Sequence, residues 1–193
     1  MGSIFDIHTV NVCDCTDEDF LLDTNALLWA FYPNSQSGNS SAADYSNFIS
    51  DIISSNKHIY IPMFNVCEAI HVIERIQYKI YKDTNGIYNL KLKDFRSIPQ
   101  ERNNLKQILN LFWQQLCNIP QIIFIDETID SELPQKFIDT FEQHSLDLFD
   151  TLLYKLSNEK KYAIITDDKD FSSVSIAGNI YSCNSNFFSA TPT

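Results

Sequence analysis

The chain has 193 residues, 44% of them hydrophobic and 13% aromatic, which is enough apolar material for one domain with a real core and too much for a disordered chain. Five cysteines at positions 13, 15, 67, 117 and 183 are odd in number and scattered, which excludes a disulfide framework and leaves Cys13-Asp14-Cys15 without the further ligands a structural zinc needs. The net charge of −11 excludes a uniformly basic nucleic-acid binder, so contact with a phosphate backbone would have to come from a local concentration of cations.

Residues 1–18 carry little pattern and several acids, and read as an N-terminal extension or a short edge element; residues 19–193 read as one domain. The opening Met-Gly-Ser-Ile-Phe-Asp-Ile-His has no basic residue at its start and no long apolar stretch. No signal peptide and no membrane association are expected, and the expected location is the cytoplasm. Phe20-Leu21-Leu22, stopped by Asp23, suits a buried parallel strand. Thr24-Asn25 then opens a helix with Leu27, Leu28 and Phe31 on one side. Residues 33–41 are a loop by composition, and residues 42–54 carry Tyr45, Phe48, Ile49, Ile52 and Ile53 at helical spacing.

His58-Ile59-Tyr60-Ile61 is a second strand, stopped by Pro62. Residues 63–82 form the clearest helix, with Val66, Ile70, Ile73, Ile76, Gln77 and Ile80 on one stripe and Glu68 near the start. Thr84-Asn85-Gly86 is a turn signal. Residues 75–106 hold eight basic and three acidic residues, a net +5; the remaining six basic and 22 acidic residues give −16. That stretch reads equally as a solvated pair of helices or as a surface for phosphates, with Arg75 and Lys79 four apart on the helix of Glu68. Residues 101–117 form another helix, and Ile122–Ile125 a third strand closed by Asp126. Helices are expected over 134–143 and 146–158, the latter capped by Ser145 or Asp147. Tyr162–Ile165 is a fourth strand, followed by Thr166-Asp167-Asp168, and Ile180-Tyr181-Ser182 a fifth. Strands alternating with helices give an α/β fold, a three-layer αβα arrangement around a parallel sheet of about four or five strands.

Ligands of such sheets bind at the carboxyl ends of the strands. Asp23 and Asp168 lie at strand ends, and Glu68 and Asp150 on the first turns of helices next to strands, so the four can meet at one rim. Clustered carboxylates repel: two unit charges about 5 Å apart at an effective dielectric near 20 cost roughly 3 kcal/mol. Protons or cations must offset that, and oxygen donors without His or Cys suit Mg2+ or Mn2+ rather than zinc. A divalent ion there can activate water and steady a phosphodiester. Asp147, one turn before Asp150, is a competing ligand, a cap or an outer-shell partner. Asp167 reads as a solvated loop residue, with a one-residue shift of register making it the ligand in place of Asp168, and Asp170 as the cap of a short turn.

Phe20-Leu21-Leu22-Asp23-Thr24-Asn25-Ala26 resembles the opening motif of the PIN-domain family, an apolar strand followed by Asp, Thr or Ser, and Asn. Ile61-Pro62 through Cys67-Glu68-Ala69 resembles its second motif, Leu148-Phe149-Asp150-Thr151 its third, and Ile164-Ile165-Thr166-Asp167-Asp168-Lys169-Asp170-Phe171 its closing one. The resemblance covers about residues 19–182. It implies a PIN-like fold and a metal-dependent endoribonuclease of RNA, many relatives being toxins of the VapC kind paired with an antitoxin. By position it implies Asp23, Glu68, Asp150 and Asp168 as catalytic metal ligands, with Asn25 and Thr166 orienting them or a bound water. RNA is the implied substrate, an antitoxin protein and a second copy of the chain the candidate partners. The chain departs from compact toxins in its late first Asp, in an insertion-like stretch at 82–104 and in an expanded 33–44 loop. The competing function is a non-catalytic PIN-like scaffold or an RNA- or protein-binding module. A haloacid-type phosphatase would want Asp-x-Asp where the chain has Asp23-Thr24-Asn25.

Overall fold

The computed structural model describes residues 2–15, 18–32, 40–126, 135, 138–139 and 145–188. Six short strands are β1 (Ile4–Asp6), β2 (Phe20–Leu22), β3 (Ile59–Pro62), β4 (Ile122–Ile125), β5 (Ala163–Ile165) and β6 (Ile180–Ser182). They pair in parallel throughout, in the order β1-β6-β5-β2-β3-β4. The helices are α1 (Thr24–Phe31), α2 (Ser40–Ser54), α3 (Met63–Asn85), α4 (Leu92–Arg96), α5 (Pro99–Cys117) and α6 (Leu148–Lys160). The helix expected over 134–143 lies largely outside the described residues, as does the loop from 33 to 39. Among the described residues no helix is long and apolar enough to cross a membrane.

The sheet has six strands where the sequence suggested four or five. The additional strand is β1, in the stretch read as an extension or a short edge element, and it pairs with β6 in the register Ile4 to Ile180. Three residues at a sheet edge, with Ile4 37% exposed, leave no buried apolar run for a pattern to register.

Alternate strand residues face opposite sides of a sheet, and here they feed two cores. Phe20, Leu22, Ile59, Ile61, Ala163, Ile165 and Tyr181 pack with Leu27 of α1, Ile52 of α2, Val66 of α3 and Phe112 of α5. Leu21, Ile164 and Ile180 pack with Leu153 and Leu156 of α6 on the other side. The result is the expected three-layer arrangement. Its winding positions the site. From β2 the chain steps outward to β3 and β4 beneath α1–α5. It then returns across the opposite face through α6 to β5, on the far side of β2. The strand order therefore reverses between β2 and β5, which is where open α/β sheets leave a crevice at the strand ends.

The stretch read as an insertion contains α4. Its Phe95 is buried against Tyr78 and Tyr81 of α3, with ring centroids 5.6 Å apart in both pairs, and Arg96 clasps Glu74 through both carboxylate oxygens. The helix α3 runs to Asn85 and ends on Gly86 at φ 65°, a left-handed cap that glycine takes without strain. Gln77, the polar member of the α3 stripe, donates to the Tyr32 hydroxyl at 2.6 Å.

Gly178, in the turn before β6, meets the backbone where β5 begins. A Cβ there would lie 2.1 Å from the Tyr162 carbonyl oxygen, and a backbone atom cannot swing aside as a side-chain tip can. Gly178→Ala is expected to destabilise the protein by about 1–3 kcal/mol, the usual range for overpacking. In a urea titration the midpoint should fall with the slope unchanged; an unmoved midpoint would show that the turn relaxes freely.

Candidate active site

The strands β2 and β5 end side by side. Leu22 pairs with Ile165, and the Asp23 N–H donates to the Ile165 carbonyl at 3.0 Å. Asp23 is 5% exposed and caps α1. Its Oδ1 accepts the Thr24 N–H at 2.6 Å, and its Oδ2 accepts the Thr166 hydroxyl at 2.7 Å. Thr166 Oγ1 in turn accepts the Asp168 N–H at 2.9 Å. One hydroxyl thus fixes the ends of both strands to each other. Asp168 Oδ1 accepts the Asp170 N–H at 2.8 Å, so the cap of the turn Lys169–Ser173 is Asp168 rather than the expected Asp170.

Glu68 sits on the second turn of α3, half-buried, and its Oε2 accepts the Thr24 hydroxyl at 2.6 Å. Three residues earlier, buried Asn65 donates from Nδ2 to the Leu22 carbonyl at 2.9 Å, pinning the start of α3 to the end of β2. On the other face, exposed Asp147 caps α6 by accepting the Asp150 N–H at 2.9 Å, which sets half-buried Asp150 on the helix's first turn.

Burial pushes the Asp23 carboxyl up to about 7, helped by the charges of Glu68 and Asp168 and opposed by the bonds from Thr166 and Thr24. Burial likewise pushes Asp150 up to about 8, with Asp23, Asp147, Asp168 and Glu68 all adding repulsion. Burial raises Glu68 too, with Asp147 adding and the Thr24 bond and His71 opposing. The four expected carboxylates therefore share one electrostatic neighbourhood, with Asp147 at its border. Among the described residues no three His, Cys, Asp or Glu side chains converge closely enough to chelate an ion directly. The donors are all carboxylate oxygens. Such a set fits Mg2+, which takes one or two carboxylates and keeps several waters, and the protons favoured on Asp23 and Asp150 mark where positive charge is wanted.

Asn25 is exposed, and among the described residues its side chain has no hydrogen-bond partner. The bond from this motif to a cluster carboxylate comes from Thr24 instead. Arg75 and Lys79 are exposed on α3, and Arg75 Nε donates to His71 Nε2 at 3.0 Å. Asp167 is not a solvated loop residue: its Oδ1 accepts the Tyr45 hydroxyl at 3.1 Å and its Oδ2 the Trp29 indole N–H at 3.2 Å. Thr24 and Asn65 were within reach of the sequence, since both flank motif acids. Tyr45 and Trp29 carried only an apolar signal.

A family model described as the PIN domain matches residues 20–177. No curated protein matches the chain. Among solved structures, the chain is similar to one in the crystal structure of VapBC2 from Rickettsia felis bound to a DNA fragment from their promoter. That alignment has a TM-score of 0.47 and 15% identity, and covers 84% of this chain and 97% of that one.

Proposed function

The chain belongs to the PIN-domain family, and from that premise we propose that it is a metal-dependent endoribonuclease hydrolysing RNA phosphodiester bonds at the rim of Asp23, Glu68, Asp150 and Asp168. The meeting of Asp23 and Asp168 at the strand-order reversal, joined through Thr166, carries this conclusion. A carboxylate group that resists ionisation gains more from a dication than separate acids would.

Bound Mg2+ or Mn2+ would supply the charge that makes a water acidic and steadies the phosphate oxygens. The residues' part is to hold that ion and to fix its surroundings. Asp23, Glu68, Asp150 and Asp168 are the ligands, directly or through water. Thr166 and Thr24 orient Asp23 and Glu68 by donating to them, and Asp147 sets the start of the helix bearing Asp150. Arg75 and Lys79 lie outward along α3 from Glu68, where an RNA backbone would meet them.

In the toxin form of this function the protein acts in the cytoplasm and an antitoxin protein silences it; membership of the PIN-domain family, many of whose members are toxins of the VapC kind, supports this. Exposed Leu111 on α5 is apolar surface that a homodimer would cover, which light scattering can decide. The central test is cleavage of single-stranded RNA by the purified chain with Mg2+ or Mn2+, stopped by EDTA. Protein that binds RNA yet leaves it intact with every dication would instead be a non-catalytic binding module.

A further inference from the structure

The geometry points to a clamp: Tyr45 and Trp29 are positioning residues that grip Asp167 and so fix the Thr166–Asp168 loop beside Asp23. This role presupposes the nuclease function proposed above. Asp167 sits between Thr166, whose hydroxyl bonds Asp23 and the Asp168 N–H, and Asp168 itself. Any rotation of Asp167 turns both neighbours.

Three separate elements oppose that rotation. Trp29, from α1, donates to Asp167 Oδ2 at 3.2 Å. Tyr45, from α2, points its hydroxyl at Asp167 Oδ1 at 3.1 Å and at the Thr166 carbonyl at 2.8 Å, so its single proton is shared between side chain and backbone of the loop. From beyond β6, Asn184 donates to the Asp167 carbonyl at 2.6 Å. The Tyr45 oxygen accepts the Cys183 N–H at 3.3 Å and lies 3.3 Å from Ser182 Oγ, which aims its proton toward the loop. Burial pushes the Tyr45 phenol far above its ordinary range, so it remains a donor. With both carboxylate oxygens taken up on the α1–α2 side, Asp167 is the handle by which the fold holds Asp168, and not a substitute ligand.

The test is Mn2+ binding to the full chain, followed by the paramagnetic resonance of the free ion, alongside RNA cleavage. Outer-shell partners of metal ligands cost about 10–100-fold in affinity when removed. Tyr45→Phe is expected to weaken Mn2+ binding about tenfold, and Trp29→Phe less. Cleavage at saturating Mn2+ should return to within about threefold of the wild type, a split that mere loss of stability does not produce. The double variant Tyr45→Phe with Asp167→Asn should be no worse than the worse single variant, because the two act through one contact. If Tyr45→Phe fails to fold, Trp29→Phe and Asp167→Asn carry the same measurement. Folded variants with the wild-type Mn2+ constant, or a double variant that loses the sum of the singles, overturn the clamp alone. A wild type that binds no Mn2+ overturns the metal-dependent nuclease function and the clamp with it.

Discussion

Asp23→Asn is expected to lower RNA cleavage more than about 100-fold while making the metal-free protein more stable. The first half follows from the proposed ligand role: an outer-shell partner already costs about 10–100-fold, and a ligand stripped of its charge should cost more. The second half follows from burial. Asp23 is 5% exposed and its carboxyl is raised to about 7 from an ordinary 3.8. At about 1.4 kcal/mol for each pH unit between them, ionising it at pH 8 costs the folded state up to about 4 kcal/mol. Asparagine keeps the shape. Its oxygen can accept from Thr24 N–H, and its amide can donate to Thr166 Oγ1, which has a second lone pair beside the one used by Asp168. Neutral bonds are weaker than charged ones, so the net gain expected at pH 8 is about 1–3 kcal/mol in a urea titration. A variant that is both less active and less stable would show Asp23 to be a structural cap and no more.

A dication is expected to raise the melting temperature strongly at pH 8.5 and little at pH 5.5. In the metal-free protein Asp23 and Asp150 keep their protons up to about 7 and 8, whereas in the unfolded chain they lose them near 3.8. Between those limits the folded state binds more protons, so this contribution to stability is present at low pH and is lost as pH rises through 7 and 8. Mg2+ or Mn2+ competes with the same protons, so it binds weakly when they are held and tightly once they leave. At a metal concentration about 100-fold above the dissociation constant the gain is about 2.7 kcal/mol. For a chain of this size that is roughly 5–10 °C. Asp23→Asn should remove most of the shift. A shift of equal size at both pH values, or one that survives in the variant, would place the ion elsewhere.

The parts of this molecule that sequence made legible are those governed by neighbours in the chain. Phe20-Leu21-Leu22 ending on Asp23, and Ile164-Ile165 followed by Thr166-Asp167-Asp168, read as buried strands closed by acids, and they are neighbouring strands of the sheet. The stripe of Val66 and Ile73 marked α3. The remainder depends on contacts between distant segments. β1 is a strand only because β6 lies beside it, and α4 is held by Phe95 entering a gap between Tyr78 and Tyr81. Asp167 read as solvated because its side-chain partners lie 122 and 138 positions away. The resemblance implied Asn25 in the orienting role, whereas the folded helix α1 gives the bond with Glu68 to its neighbour Thr24.

The pairing of β1 with β6 has a consequence for the order of events during synthesis. Ile4 cannot find Ile180, nor the Gly2 N–H its acceptor at the Ile176 carbonyl, until residue 180 has left the ribosome. At about 5–20 residues per second that is a wait of roughly 9–35 s. Asp168 and Thr166 emerge in the same late interval, so a nascent chain carries only three quarters of the acidic rim and lacks the hydroxyl that ties it together. Translation itself therefore acts as a timer: an early fragment lacks β5 and β6, and the crevice between β2 and β5 forms only once those strands have joined the sheet.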